Sequence, residues 1–189
     1  MKLLRWSKIG LWTVAACLLG YCAFVLADTW NFQRQASLAF DRRLQPAALP
    51  GPSADSTNGL LGRMEIPRLG MTMVVAEGTD ETTLRRAGGH IRGTALPGQP
   101  GNVGIAGHRD TLFRPLRNVR QNDLILLTTL QGEYRYRVVT TEIVSPSDVS
   151  VLSSDDHEVL TLVTCYPFYF VGPAPGRFIV RAKRIAGTT

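Results

Sequence analysis

From Ile9 to Ala27 the chain runs nineteen residues without a charge, IGLWTVAACLLGYCAFVLA. That is about the length a helix needs to cross a bilayer. Thr29 to Leu44 mixes helix formers with scattered apolar residues, which predicts a juxtamembrane continuation of the helix. Gln45 to Asn58 carries three prolines among small polar residues, and reads as a partly extended linker. Beyond it the pattern breaks into short β-rich runs. Leu61 to Ile66, stopped by Pro67, and Met71 to Val75 predict a first strand pair. Asp80 to Ala87 predicts a short helix capped by Thr79 or Asp80, and Gly88-Gly89-His90 breaks it. Val103 to Ala106 is a strand ended by Gly107, and Phe113 to Val119 a helical turn. Asp123 to Thr129 and Glu133 to Val144 form a hairpin around Gln131-Gly132, the second strand alternating as Tyr134, Tyr136, Val138. A polar connection from Ser145 to Asp156 leads to two closing strands, Val159 to Thr164 and Arg177 to Arg181.

Many short strands with one or two small helices imply a mainly β domain closed, or nearly closed, into a barrel. The expected organisation is residues 1–28 as cytoplasmic N-terminus and transmembrane signal anchor, 29–58 as juxtamembrane helix and linker, and 59–189 as the catalytic domain. Lys2, Arg5 and Lys8 before the span and Asp28 after it predict N-terminus inside and domain outside the cytoplasmic membrane. Trp6, Trp12 and Trp30 flank the span at interfacial positions. Two rivals to an uncleaved anchor exist. Val25-Leu26-Ala27 has the small-residue form of a signal-peptidase site, and Val14-Ala15-Ala16-Cys17 loosely matches a lipoprotein box. The apolar run continues well past Cys17, which argues against the lipoprotein.

The chemistry concentrates at strand ends. Cys165 closes the run Val159 to Thr164, and Tyr166-Pro167 follows at once; a proline has no N–H to give a ladder. If the last two strands are neighbours, Arg177 at the start of one lies near Cys165 at the end of the other. A cation there favours the thiolate, the nucleophilic form. His108 is presented just after Gly107, again at a strand terminus. A cysteine, a histidine and an arginine so placed are the parts of a thiol acyl-transfer site. A core cysteine beside a surface arginine is the plain alternative. Cys17 and Cys22 fall within the span, so Cys165 is the single thiol of the exported part, unable to form an internal disulfide.

Composition narrows the partners. The formal charge is +6, but from Gly59 onward 15 basic residues face 12 acidic ones, and no basic stripe with interleaved aromatics occurs. Nucleic acid is thereby disfavoured as a partner.

AGHRDTLFRPL, together with TLVTC and an arginine opening the next strand, resembles the sortases, and most of all their class D. The likeness runs from about Gly59 to Ile185. It implies an eight-stranded barrel and a cysteine transpeptidase that cleaves an LPXTG-like sorting signal between Thr and Gly. Cys165 is then the nucleophile, His108 the acid and base, and Arg177 the substrate or oxyanion holder. Secreted proteins bearing a C-terminal sorting signal are the implied substrates, and the amine acceptor belongs to a cell-wall precursor or a pilin. No cofactor is implied, although some sortases bind calcium in the connection before the catalytic strand. Asp155, Asp156 and Glu158 around His157 read either as a solvated turn or as such a site. His90 and Thr164 are candidates for the substrate side. His90 has a structural hydrogen bond as its alternative, and Thr164 has packing or backbone positioning. Tyr166 to Phe170 forms either a groove wall or a loop folded on the barrel end. Two other functions compete: an L,D-type peptidoglycan transpeptidase, whose Ser-His-Gly-Cys run is absent here, and a membrane-tethered β-barrel binding module without catalysis.

Overall fold

The structure, a computed structural model, describes residues 2–44, 59–154, 156–169 and 172–185. The linker expected over Gln45 to Asn58 lies outside them. One helix, α1 (Lys2–Leu44), carries the apolar run and the segment after it without interruption. No proline occurs before Pro46, so nothing removes a backbone hydrogen bond along its 43 residues. At 1.5 Å per residue the helix is roughly 65 Å long, and it is long and apolar enough to cross a bilayer.

The remainder closes into the expected barrel of eight strands, in the order β1-β2-β3-β4-β7-β8-β6-β5. β1 (Leu60–Ile66) and β2 (Met71–Glu77) form a hairpin through a 3-10 turn, Pro67–Leu69. Gly70 closes that turn at φ 59°, where a side chain would be strained. α2 (Glu81–Arg86) follows, with Asp80 as its cap accepting from the Thr83 N–H at 3.0 Å. Hydrogen bonds from the Thr82 and Thr83 hydroxyls, then the Thr83 N–H, hold the Asp80 carboxyl below the usual range.

The expected break at Gly88-Gly89-His90 is instead a strand, β3 (Gly88–His90), parallel to β2 and antiparallel to β4 (Asn102–Gly107). β5 (Leu124–Thr129) and β6 (Gly132–Val144) make the hairpin, and β7 (Val159–Tyr166) and β8 (Gly176–Ile185) complete the wall. β4 and β7 are parallel neighbours, so their C-terminal ends reach the same rim.

Alternation decides which side chains fill the barrel. Val103, Ile105, Leu160, Leu162, Val180 and Ala182 enter the buried core with Met64, Leu127 and Tyr136. The intervening row of β7, Thr161, Val163 and Cys165, therefore lies on the outer face. Tyr136 ends in a polar device: its hydroxyl donates to Glu158, whose other oxygen lies 3.3 Å from Arg184 Nε. Burial, reinforced by Glu158, raises the Tyr136 pKa well above that of an ordinary phenol.

Candidate active site

Three neighbouring strands bring the predicted chemistry to one rim. In the antiparallel β7–β8 pair, Cys165 lies directly opposite Arg177. Directly opposed residues share a face of the sheet, so thiol and guanidinium are on the same outer side. In the parallel β4–β7 pair the last register partners are Gly107 and Thr164. The next residues, His108 and Cys165, are therefore side by side where β4 ends. All three are half-buried. Among the described residues the Arg177 guanidinium bonds only the carbonyl of Gly176, at 3.1 Å. No carboxylate pairs with the His108 ring among the described residues.

Local chemistry holds this rim in place. Thr164, 2% exposed, donates its hydroxyl to the Gly107 carbonyl at 2.7 Å. It thus ties the peptide immediately before His108 to β7. After His108 the chain turns back, with the Phe113 N–H bonded to the His108 carbonyl at 3.1 Å. The Phe113 ring covers Gly107 so closely that a Cβ there would meet it at 2.8 Å.

The connection after β6 lies over the outer face of β4 and β7, the face that carries Cys165. Its 3-10 turn, Ser150–Leu152, is clamped by Asn102. The Asn102 amide donates to the carbonyls of Val151 (3.0 Å) and Ser153 (3.3 Å), and its oxygen accepts from Thr161 at 2.7 Å. Gly104 leaves room for Leu152, Thr94 and Ile91, each of which a Cβ would approach to 3.1–3.2 Å.

The connection after β7 begins with a cis Tyr166-Pro167 peptide. Phe168 packs against the core cluster, its ring 5.4 Å from that of Phe178. Tyr169 is 74% exposed, and Arg117 lies over its ring and donates to its hydroxyl. Arg109, next to His108, donates to the Gly172 carbonyl at 3.1 Å. This segment is folded onto the barrel end; Phe170 lies outside the described residues. Arg109 and Arg117 tie the loop after β4 to it. No spacing along the chain signals such pairing, because the partners are a backbone carbonyl and a phenol more than fifty residues away.

His90 belongs elsewhere. It is 3% exposed, with Nδ1 2.8 Å from Glu77 and Nε2 3.0 Å from the Ala95 carbonyl and 3.1 Å from the Thr94 hydroxyl. Both ring nitrogens are occupied, and it pairs with Ile105, two residues before the end of β4. The structure does not bring it to the rim. Glu158 is likewise committed, to Arg184, to Tyr136 and to the Gly98 N–H at 2.9 Å. No His, Cys, Asp or Glu cluster able to hold a metal occurs among the described residues. The calcium reading thus loses Glu158 to internal bonds, and Asp155 lies outside the described residues.

A sortase domain model matches residues 64–185. The chain belongs to the sortase family. A sortase D from Bacillus subtilis is 34% identical over 94% of this chain and 98% of the relative. A sortase A from Listeria monocytogenes is 28% identical over 71% of this chain and 64% of the relative. Among solved structures, a Clostridium perfringens sortase D5 transpeptidase superposes with a TM-score of 0.69 at 29% identity, covering 82% of this chain and 99% of the other. This sortase is accordingly a cysteine transpeptidase of cell-wall protein anchoring, a family that works without a cofactor. Both competing functions, the L,D-type transpeptidase and the inert binding module, give way to that membership.

Proposed function

We propose that Cys165, His108 and Arg177 are the catalytic set of this sortase, and that its substrate is an LPXTG-like sorting signal. The observation that carries the reading is the register: Cys165 opposite Arg177, with His108 beside it on the adjoining strand. The Cys165 thiolate attacks the carbonyl of the scissile Thr–Gly bond, and the carbon becomes tetrahedral. His108 protonates the departing glycine amine, leaving an acyl thioester on Cys165. An incoming amine then attacks the thioester, passes its proton to the now neutral His108 and regenerates the thiolate. The Arg177 fork, engaged among the described residues only with the Gly176 carbonyl, would hold the oxyanion or the substrate backbone.

The donors in this reading are secreted proteins with a C-terminal sorting signal, and the amine comes from a cell-wall precursor or a pilin. Residues 1–28 anchor the enzyme, 29–58 connect it, and 59–189 form the catalytic domain outside the cytoplasmic membrane. The charge asymmetry of Lys2, Arg5 and Lys8 against Asp28 supports that orientation.

Intact mass of the enzyme incubated with sorting peptides tests the set. A thioester adduct on Cys165 is expected, absent in Cys165→Ala. His108→Ala should accumulate little adduct, and Arg177→Lys should stay substantially impaired because charge alone does not replace the fork. Turnover in Cys165→Ala at the wild-type rate would end the proposal.

A further inference from the structure

α1 does not leave the barrel when it leaves the apolar run. Asp28, the first charge after the span, is ion-paired with Arg86 at 3.0 Å, and the Thr29 hydroxyl donates to the Arg85 carbonyl at 3.4 Å. One turn on, Gln33 bonds the barrel with both ends of its amide. Its nitrogen donates to the Arg86 carbonyl at 2.5 Å, and its oxygen accepts from the Val74 N–H at 2.9 Å. That N–H is open because β3 is too short to cover it: β3 pairs only with Val75 to Glu77. Phe32 and Ala36 pack on Val74, Ala76 and Ala87. Two turns further, Phe40 is 2% exposed beneath the Arg63 guanidinium, which pairs with Asp41 at 2.7 Å.

These contacts have a direction. The end of α1 nearest the span rests on α2, which leads into β3, while its far end rests on β1. Around the barrel β3 is followed by β4 and β7, and β1 by β5 and β6. The β3–β4 flank is therefore the near side, and the β5–β6 hairpin the far side. At the height where the span ends, Trp30 and Arg34 stack one turn apart at 5.4 Å, and Arg85 and Arg86 are exposed. Aromatic and cationic side chains suit a lipid headgroup layer, the cations its phosphates.

We propose that anchor and barrel form one docked unit that lays the α2–β3 flank on the phospholipid headgroups, so that the rim carrying Cys165 lies on the membrane-proximal side. The proposal rests on reading α1 as a membrane span. A substrate still held in the same bilayer would then reach the thiol without a swing of the domain, and the docked helix sets the height of the reaction.

The test uses the full chain in vesicles of phosphatidylcholine and phosphatidylglycerol carrying a headgroup nitroxide quencher. Cys17→Ser and Cys22→Ser leave Cys165 as the one thiol to label. Adding Cys165→Ala allows labels at Arg85→Cys and Gln131→Cys, the latter in the β5–β6 turn. The fluorophore at position 85 should lose most of its signal, that on Cys165 an intermediate share, and that at position 131 the least. Asp28→Ala with Gln33→Ala should collapse this order while leaving adduct formation in detergent unchanged. Equal quenching at 85 and 131, or the reverse order, overturns the docking. Failure of the unlabelled chain to float with vesicles overturns the span reading itself, and the two failures are thereby distinguished.

Discussion

A Cβ at position 107 would fall 2.8 Å from Cγ of Phe113, and that ring has the core behind it. Gly107→Ala must therefore displace either the ring or the peptide that carries His108. A shift of about 1 Å in a catalytic group costs on the order of a hundredfold in rate. Gly107→Ala should lower kcat for peptide cleavage by roughly ten- to a hundredfold, with alkylation of Cys165 left near the wild-type rate. Equal kcat values for the two proteins would show that the packing over Gly107 does not aim the histidine. At this scale the placement of Cys165, His108 and Arg177 at one rim was readable in the chain, because each stands at a strand end marked by glycine or proline. What aims them was not: Phe113 over Gly107, and the Thr164 hydroxyl on the Gly107 carbonyl 57 residues away, are contacts between positions that no local pattern relates.

Elements became readable in proportion to their length and alternation. β6, with Tyr134, Tyr136 and Val138 in alternation, is legible; β3, three residues of which two are glycine, carries no β signal and reads in the chain as a helix break. It forms because β2 and β4 hold it from both sides. The parallel β4–β7 pairing, which joins His108 to Cys165, is equally silent in the chain, since two hairpin strands and two 3-10 turns separate its partners. The packing of the connection after β6 on the outer face of β4 and β7 depends on one buried amide. Asn102→Ala strands the Thr161 hydroxyl and two carbonyls, each a loss of about 1 kcal/mol or more. It should raise KM for the sorting peptide more than it lowers kcat, because the 3-10 turn at Ser150–Leu152 moves and the rim does not; an unchanged KM would refute the clamp. Asp123, its side chain 5% exposed, joins the Pro67–Leu69 turn to the segment after a further 3-10 turn, Arg114–Asn118, by accepting from Arg68 and from the Arg120 N–H at 2.8 Å. Hydrogen bonding to Arg68 first, then to Arg120, holds its carboxyl below the usual range against the opposing effect of burial. Unfolded, it binds its proton near the ordinary value of about 3.9; folded, only at lower pH. Its stabilisation is complete above about pH 4 and fades as pH falls through the folded value. Asp123→Asn should lower Tm at pH 7 and flatten the acid limb, the two curves converging at the acid end. Parallel curves for wild type and variant would sink the assignment.

At the scale of the whole molecule, the length of the helix was foreseeable from the apolar run and the absence of proline before Pro46. Its attachment to the barrel was not, because Phe32, Gln33 and Phe40 look like scattered residues of a solvated helix until the open Val74 N–H and the β1–β2 surface are known. That attachment has a measurable stability. Burying Phe40 contributes about 2 kcal/mol, and the Gln33 bonds add about 1 kcal/mol each. The exposed Asp28–Arg86 and half-buried Asp41–Arg63 ion pairs add less. Ordering a helix segment that is marginal by itself takes much of this back. A net gain of about 2 kcal/mol should therefore separate a protein beginning at residue 28 from one beginning at residue 59. In a domain of this size that corresponds to a Tm higher by about 5–10 °C. Thermal unfolding of the two pieces followed by circular dichroism measures the difference. Phe40→Ala in the longer piece should remove most of it, since the loss falls on the docked aromatic and not on the barrel. Matching Tm values for the two pieces would mean that the helix merely lies beside the barrel, and that the enzyme owes its stability to the closed sheet alone.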